Sequence, residues 1–317
     1  MDAMQIKSKV VVIGTGQVGA AYAFALTVSG AARQLGLVND PPETARGVAL
    51  DLTHGLSLLR PMDIEAGGFE LCRDAALVVI TAGAPQKPGQ GRLELAAVNA
   101  AIIKDVVAGV LAENSSPLLC VVTNPVDVLT HIALKESKLP PGRVFGSGTV
   151  LDSSRFRWLL SRHCGLDPRS IHAQILGEHG DSEFAAWSRV NVAGVPFEEF
   201  CRDCAAGCSA DARQRLVEEV RGAAYEVIRL KGATAYAIAL ALVRITQAVL
   251  ADQKSVLTVS SLVDGHYGLS DVCLALPCVV GSGGVEQVIP ASLAPDELAA
   301  LRASAAVLRQ SLAALGY

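Results

Sequence analysis

Continuous apolar runs, not alternating ones, recur through the first half of the chain. Residues 9–13, 36–39, 77–81, 118–123 and 143–145 each carry a short stretch of valine, isoleucine, leucine or phenylalanine. Such runs predict strands buried on both faces, the pattern of a parallel sheet covered by helices. Residues 20–29 and 98–111 read as helices between them, so strands and helices alternate up to Gly146-Ser147-Gly148. In the second half, residues 171–176 predict one more buried strand and 190–196 a short hairpin. Residues 214–230 and 232–251 read as helices, and 257–263 and 272–280 as strands turned by Asp264-Gly265 and the glycines of 281–284. Near the end, Leu298, Leu301, Ala305, Leu308, Leu312 and Leu315 recur at three- and four-residue spacing, one core-facing stripe. Pro295 opens that helix, and Asp296 and Glu297 suit its positive end.

With 317 residues, 51% of them apolar, the chain can build one large or two medium globular units. A net charge of -4 without a basic run argues against nucleic acid as a partner. The longest uncharged apolar stretch of the helical C-terminal half, residues 232–243, is too short to cross a bilayer. The N-terminus lacks an apolar segment followed by a small-residue cleavage site, so no membrane partner or export is expected. Eight cysteines scattered through strands and loops read as reduced thiols, which points to the cytoplasm. Cys201, Cys204 and Cys208 tempt a metal reading, but local spacing offers no fourth ligand, and no metal is expected.

The first strand runs into Gly14-Thr-Gly16-Gln-Val-Gly19 and then a helix, the order of a dinucleotide site. Gly14 allows the tight turn, Gly16 lets backbone approach a pyrophosphate, and Gly19 lets helix pack on strand. The helix N-terminus then offers free N–H groups to the phosphates. The second strand ends in Asn39-Asp40 where an acidic residue usually binds the adenosine ribose. Alternation puts these two side chains on opposite faces, and Asn39 still accepts a hydroxyl hydrogen bond. It carries no charge to repel a 2′-phosphate, and no arginine follows immediately to bind one. NAD is therefore expected, with weaker discrimination against NADP than an aspartate gives.

Strand ends carry the remaining chemistry. Residues 82–92, with glycine at 83, 89 and 91 and proline at 85 and 88, form a hinged loop bearing Arg92, which reads as a lid. Asn124 precedes Pro125 and is presented where the ladder stops. Gly177-Glu178-His179-Gly180-Asp181 leaves the 171–176 run, so His179 stands at a strand end with little local cover. Histidine exchanges a proton near neutral pH. On a helix after Thr149, Asp152 and Arg155 lie three apart on one face. They read either as an internal salt bridge, or as a carboxylate that orients a histidine and a guanidinium that grips an anion.

These motifs resemble the lactate/malate dehydrogenase family over nearly the whole chain. The matching stretches are GTGQVG at 14–19, ALDLTHG at 49–55, TAGAPQKPGQGRLEL at 81–95, TNPVD at 123–127, GSGTVLDSSRFR at 146–157 and LGEHGDSE at 176–183. The resemblance implies a Rossmann-type doubly wound parallel sheet over residues 1–147 and an α+β catalytic domain over 148–317. It implies that His179 is the proton donor and acceptor, Asp152 its orienting carboxylate, Arg155 the substrate-carboxylate partner and Arg92 the lid arginine that polarises the carbonyl. It further implies that Asn124 and Thr234 line the substrate, with Ser147 near the nicotinamide. The NAD surface it implies comprises Gly14, Gly16, Gln17, Val18, Gly19, Asn39, Gly83, Ala84, Val122, Asn124 and Ser147.

Gln86 decides the substrate within this resemblance. The equivalent lid position is an arginine where the substrate is malate, with its second carboxylate. Gln86 is neutral and suits a methyl side chain, hence pyruvate and L-lactate. The alternatives are a broader-range L-2-hydroxy acid dehydrogenase and a malate dehydrogenase; Gln86 argues against the second and not against the first. An NAD-dependent glycosidase on a related fold would need a metal site, and a non-catalytic binder would keep buried-type charges at a cost in stability. Arg157 and His172 match positions that bind fructose 1,6-bisphosphate between subunits in bacterial members. A guanidinium fork and a titrating imidazole both suit phosphate. The short tail before the first strand leaves no long arm to brace a homotetramer, which fits ligand-assisted assembly.

Overall fold

A computed structural model of the chain describes residues 8–84, 92–203, 207–290 and 292–317, the side chains of Arg92 and Asp203 excepted. The first half runs β1 (Lys9–Ile13), α1 (Gln17–Ser29), β2 (Gln34–Val38), α2 (Pro42–Gly55), β3 (Asp63–Gly67), β4 (Leu77–Ile80), α3 (Arg92–Glu113), β5 (Leu119–Val121), α4 (Val126–Ser137) and β6 (Val144–Gly146). These strands pair in parallel in the order β3-β2-β1-β4-β5-β6. The order reverses between β1 and β4, and open sheets of this kind bind ligands at such a switch point.

The apolar runs bury both faces, as their continuity predicts. Val11, Ile13, Val78, Ile80, Leu119 and Val121 face a core shared with α3 and α4. Val10, Val12, Leu35, Leu37, Leu77 and Val79 face another, shared with α1 and α2. Helix α3 begins six residues before the periodicity does. By length and composition alone α3 could cross a membrane. Its Ala100, Ile103, Val106, Val107 and Val110 are instead buried in the first core.

The second half runs α5 (Val150–Cys164), β7 (Ile171–His172), β8 (Ile175–Leu176), β9 (Phe184–Ala185), β10 (Asn191–Val192), β11 (Val195–Pro196), α6 (Phe197–Phe200), α7 (Ala210–Lys231), α8 (Tyr236–Leu250), β12 (Ser255–Leu257), β13 (Ser260–Val263), β14 (Val272–Ala275), β15 (Cys278–Gly281), β16 (Gly284–Val288) and α9 (Pro295–Ala314). Strands β13 and β14 extend the main sheet antiparallel past β6. Helix α8 joins the core of α1 and α2, and α9 buries Leu301, Ala305, Leu308 and Leu312 in the core of α3 and α4. The chain is thus a doubly wound α/β sheet followed by an α/β segment of small antiparallel sheets and long helices.

Several single elements of the sequence reading divide. Residues 171–176 form two strands, because β7 pairs with β10 while β8 pairs with β9. Residues 257–263 likewise split between the β15 ladder and the main sheet. The 272–280 run breaks at Leu276-Pro277, where proline has no N–H for a ladder. Gly232 does not open a helix. It closes α7 at φ 87, a left-handed C-cap that suits glycine, and α8 starts at Tyr236. Glu297 does more than complement a dipole: it is buried, accepts from Ala294 N at 2.9 Å and holds Ser188 N at 2.8 Å.

Candidate active site

Helix α5 and strand β8 are buttoned together at their ends. Thr149 Oγ1 donates to the Ile175 carbonyl at 2.5 Å, and Ser153 Oγ accepts from Ile175 N at 3.0 Å. This fixes Asp152, one residue before Ser153, against the loop that leaves β8. Gly177 turns that loop at φ 93 and exchanges two backbone hydrogen bonds with Ala275 of β14. A Cβ at Gly177 would lie 2.8 Å from Ser304 Oγ, so the left-handed turn and the close packing both demand glycine there. Ser304 of α9 accepts from Glu178 N at 2.7 Å, and Asp127 of α4 accepts from His179 N at 2.7 Å. Three separate elements therefore hold the peptide that presents His179.

His179 Nδ1 meets Asp152 Oδ2 at 2.6 Å, and Arg155 Nη1 donates to Asp152 Oδ1 at 2.7 Å. The Asp152 side chain is 2% exposed, against 26% for His179 and 17% for Arg155. One buried carboxylate thus links an imidazole and a guanidinium that are both partly exposed. Burial alone would lower the His179 pKa; the Asp152 charge and hydrogen bond outweigh it and raise it to about 9. Burial likewise opposes the Asp152 charge, but His179 and Arg155 hold its carboxyl below the usual range. Nearby Glu183 is buried, and burial together with the Asp152 charge pushes it well up, so it keeps its proton at neutral pH. Asp127 is raised by burial to about 6. Asp152, His179 and Glu183 could together offer three metal ligands within 4.8 Å. Nδ1 of the ring is already engaged by Asp152, which gives the cluster a proton-transfer geometry.

A cleft of about 960 Å³ opens at the switch point, lined by Gly14 and Gly16 after β1, Val38 and Asn39 at the end of β2, and Thr81 to Ala84 after β4. The glycine turn fits a dinucleotide. A Cβ at Gly14 would meet Ala82 N at 2.4 Å, and one at Gly19 would meet the Gly14 carbonyl oxygen at 1.9 Å. A Cβ at Gly16 would meet nothing within 4 Å, so that backbone faces open space where a pyrophosphate fits. Thr15 Oγ1 is buried there without a partner among the described residues. Gln17 and Val18 head α1, while Val122 N donates to the Ile80 carbonyl at 2.9 Å and Ser147 N to the Val121 carbonyl at 2.8 Å. Ala84 N donates to Asn99 Oδ1 at 2.8 Å, and Asn99 Nδ2 donates to the Asn124 carbonyl at 2.9 Å, so Asn99 ties the two strand-end loops together.

The structure brings together His179, Asp152 and Arg155. Asn124 is exposed beyond β5, and Thr234 is half-buried in the turn between α7 and α8. Arg92 is the first residue of α3, with its side chain outside the described residues; Gln86 also lies outside them. His172 is exposed on β7. Half-buried Arg157 donates from Nε to the carbonyl of Ala173, the residue after His172, at 2.9 Å. Sequence reasoning missed Asp127, Glu183 and Asn99. Asp127 and Glu183 lie in the quoted TNPVD and LGEHGDSE stretches. A carboxyl inside an otherwise apolar or catalytic motif is the signal that could have found them.

The fold and this site define a dinucleotide-dependent oxidoreductase with a carboxylate-held histidine. The chain belongs to the lactate/malate dehydrogenase family. The family's NAD-binding-domain model matches residues 8–146, and its alpha/beta C-terminal-domain model matches residues 149–315. It is similar to the L-lactate dehydrogenase of Nitratidesulfovibrio vulgaris (strain DP4), 50% identical over 97% of this chain and 100% of that one. That of Thermoanaerobacterium saccharolyticum is 48% identical over 95% of this chain and 97% of its own. Among solved structures, MGS-M5, a lactate dehydrogenase from a Medee basin deep-sea metagenome library, superposes with a TM-score of 0.95 at 43% identity. The match covers 98% of this chain and 99% of that one.

Proposed function

We propose that this protein is an NAD-dependent L-lactate dehydrogenase that interconverts pyruvate and L-lactate. The observation that carries the reading is the 2.6 Å contact of His179 Nδ1 with a buried Asp152 that also binds Arg155. It leaves Nε2 of a charged ring and the remaining guanidinium N–H groups for a substrate.

When bound, NADH supplies a hydride to C2 of the keto acid. His179 is protonated at neutral pH and gives its Nε2 proton to the substrate oxygen; the neutral ring takes it back when lactate is oxidised. Asp152 keeps the tautomer fixed and the imidazolium favoured. Arg155 grips the substrate carboxylate through N–H groups not spent on Asp152. Arg92, at the head of α3, polarises the carbonyl, an interaction strongest in the transition state. Gln86 leaves no cation for a second carboxylate, which favours pyruvate over oxaloacetate. Asn124, Thr234 and Ser147 complete the substrate and nicotinamide end, and the functional division falls near 147/148.

Arg157 and His172 form a fructose 1,6-bisphosphate site that promotes assembly of a homotetramer in the cytoplasm. The bond from Arg157 to the Ala173 carbonyl, one residue after His172, supports this reading. One assay panel tests all of it: NADH oxidation with pyruvate, longer 2-keto acids and oxaloacetate, with and without fructose 1,6-bisphosphate. Pyruvate should be turned over fastest. A higher kcat/KM on oxaloacetate would overturn the substrate assignment. A bisphosphate that moves neither rate nor sedimentation would overturn the regulatory one.

A further inference from the structure

The adenosine end of the cleft carries a second feature. Both polar atoms of Asn39 are already engaged by the chain's own backbone. Its Oδ1 already takes the Thr15 N–H at 2.7 Å, and its Nδ2 donates to the Pro41 carbonyl at 3.0 Å. An amide nitrogen has two hydrogens, so one N–H remains. The residue that should accept from a 2′-hydroxyl and repel a 2′-phosphate is thus neutral and has a donor to spare.

Arg46 lies on α2 four residues after Pro42, and the two line the same cleft together with Asn39. Residues four apart share a helix face. Among the described residues Arg46 makes no hydrogen bond or ion pair, so its guanidinium is free. A planar guanidinium on a cleft wall matches phosphate as a two-pronged donor. The sequence alone showed no arginine directly after Asn39; the helix brings one round.

We propose that this chain accepts NADPH as well as NADH, with Arg46 as the residue that binds the 2′-phosphate and Asn39 as the residue that admits it. The inference rests on the dinucleotide-dependent dehydrogenase reading above. Asp40, Glu70 and Asp105 line the same cleft and oppose a further negative charge. Gly68 N engages Glu70 at 2.7 Å, which ties that carboxylate to its own loop. NADH therefore stays preferred, by about tenfold or less in kcat/KM, where a site built with a carboxylate would discriminate by about 10⁴-fold.

Binding of the half-ligands tests this without turnover. Calorimetry should give wild-type protein a Kd for 2′,5′-ADP within about threefold of that for 5′-AMP. Arg46→Ala should weaken 2′,5′-ADP about tenfold more than 5′-AMP, with Arg46→Lys in between. Asn39→Asp should weaken 2′,5′-ADP at least about 30-fold relative to 5′-AMP. The NADPH-to-NADH ratio of kcat/KM with pyruvate should fall in the same order. The proposal is overturned if wild-type protein binds 2′,5′-ADP more than about tenfold worse than 5′-AMP, or if Arg46→Ala weakens both equally. Protein that oxidises NADH but shows either result sinks this inference alone. Protein that binds both half-ligands as expected yet reduces no keto acid sinks the dehydrogenase reading and leaves the phosphate site standing.

Discussion

Replacing Asp152 with asparagine keeps the shape of the site and removes its central charge. In the native protein the Asp152 contacts lift His179 from 6.5 to about 9 against the pull of burial. At roughly 1.4 kcal/mol per pH unit, this is a preference of about 3 kcal/mol for the imidazolium. Without the carboxylate, burial acts unopposed by Asp152, and the pKa should fall to about 6.5 or lower. At neutral pH the ring then goes from almost wholly charged to mostly neutral. An asparagine can also present either a donor or an acceptor to Nδ1, so the tautomer is no longer fixed. We expect kcat for pyruvate reduction to drop by about 10² to 10⁴ in Asp152→Asn. The wild-type kcat/KM for pyruvate should hold up to about pH 9 and fall above it, with lactate oxidation rising over the same range. In the variant both midpoints should move down by two pH units or more, roughly. Stability follows the same contacts. A raised histidine pKa stabilises the fold fully below about 6.5 and loses its effect as pH rises through about 9. A depressed aspartate pKa stabilises above about 4 and is lost as pH falls. The melting-temperature gap between wild type and variant should therefore be widest between about pH 4 and 6.5. A pH–rate midpoint that stays within half a unit or so of the wild-type value would refute the reasoning.

Three further outcomes follow from the same geometry. Arg155→Lys loses the fork while keeping the charge, so KM for pyruvate should rise about 100-fold and kcat should fall by a smaller factor; an unchanged KM in steady-state assays removes Arg155 from the substrate. Gln86→Arg should shift the kcat/KM preference toward oxaloacetate, and a variant that still favours pyruvate strongly would show that residue 86 does not set the side-chain choice. Asp127→Ala strips a buried acceptor from His179 N and should cost about 1–3 kcal/mol in chemical denaturation, with Asp127→Asn costing less because its amide oxygen still accepts. Equal stability of Asp127→Ala and wild type would mean that the loop holds without α4.

The first half of the fold was legible because its signals are local. Apolar runs such as 9–13 and 77–80 can be buried on both faces only in a parallel sheet, and Gly14, Gly16 and Gly19 mark the turn at the switch point. The second half was less legible because many of its strands are only two residues long and strands adjacent in sequence join different sheets. Residues 171–176 look like one strand, yet β7 and β8 belong to different sheets. The site divides the same way. Asp152 and Arg155 share a helix turn, so their pairing could be read; the reach from Asp152 to His179 spans 27 residues and depends on Thr149 and Ser153 gripping Ile175. No periodicity encodes that grip. Arg46 has no signal next to Asn39 in the sequence, because it is α2 that carries it to the same cleft wall.

Three carboxyls surround one imidazole, and the structure gives each a different state. Asp152 is the most buried of the charged groups and also the best paired, so it stays ionised. Glu183, within 4.8 Å of the same atoms, cannot ionise as well and holds its proton. Asp127 accepts the His179 N–H, and burial places it between those extremes, at about 6. At neutral pH the core of the site then carries a positive His179, a positive Arg155, a negative Asp152 and a mostly negative Asp127, with Glu183 neutral. The two anions are buried while the two cations are partly exposed, so an incoming carboxylate meets the cations first. Under the proposed function those cations take the one carboxylate of a keto acid, and a neutral residue at position 86 adds no partner for a second. An arginine there would add the charge that a dicarboxylate needs, and the cluster around His179 would not have to change at all.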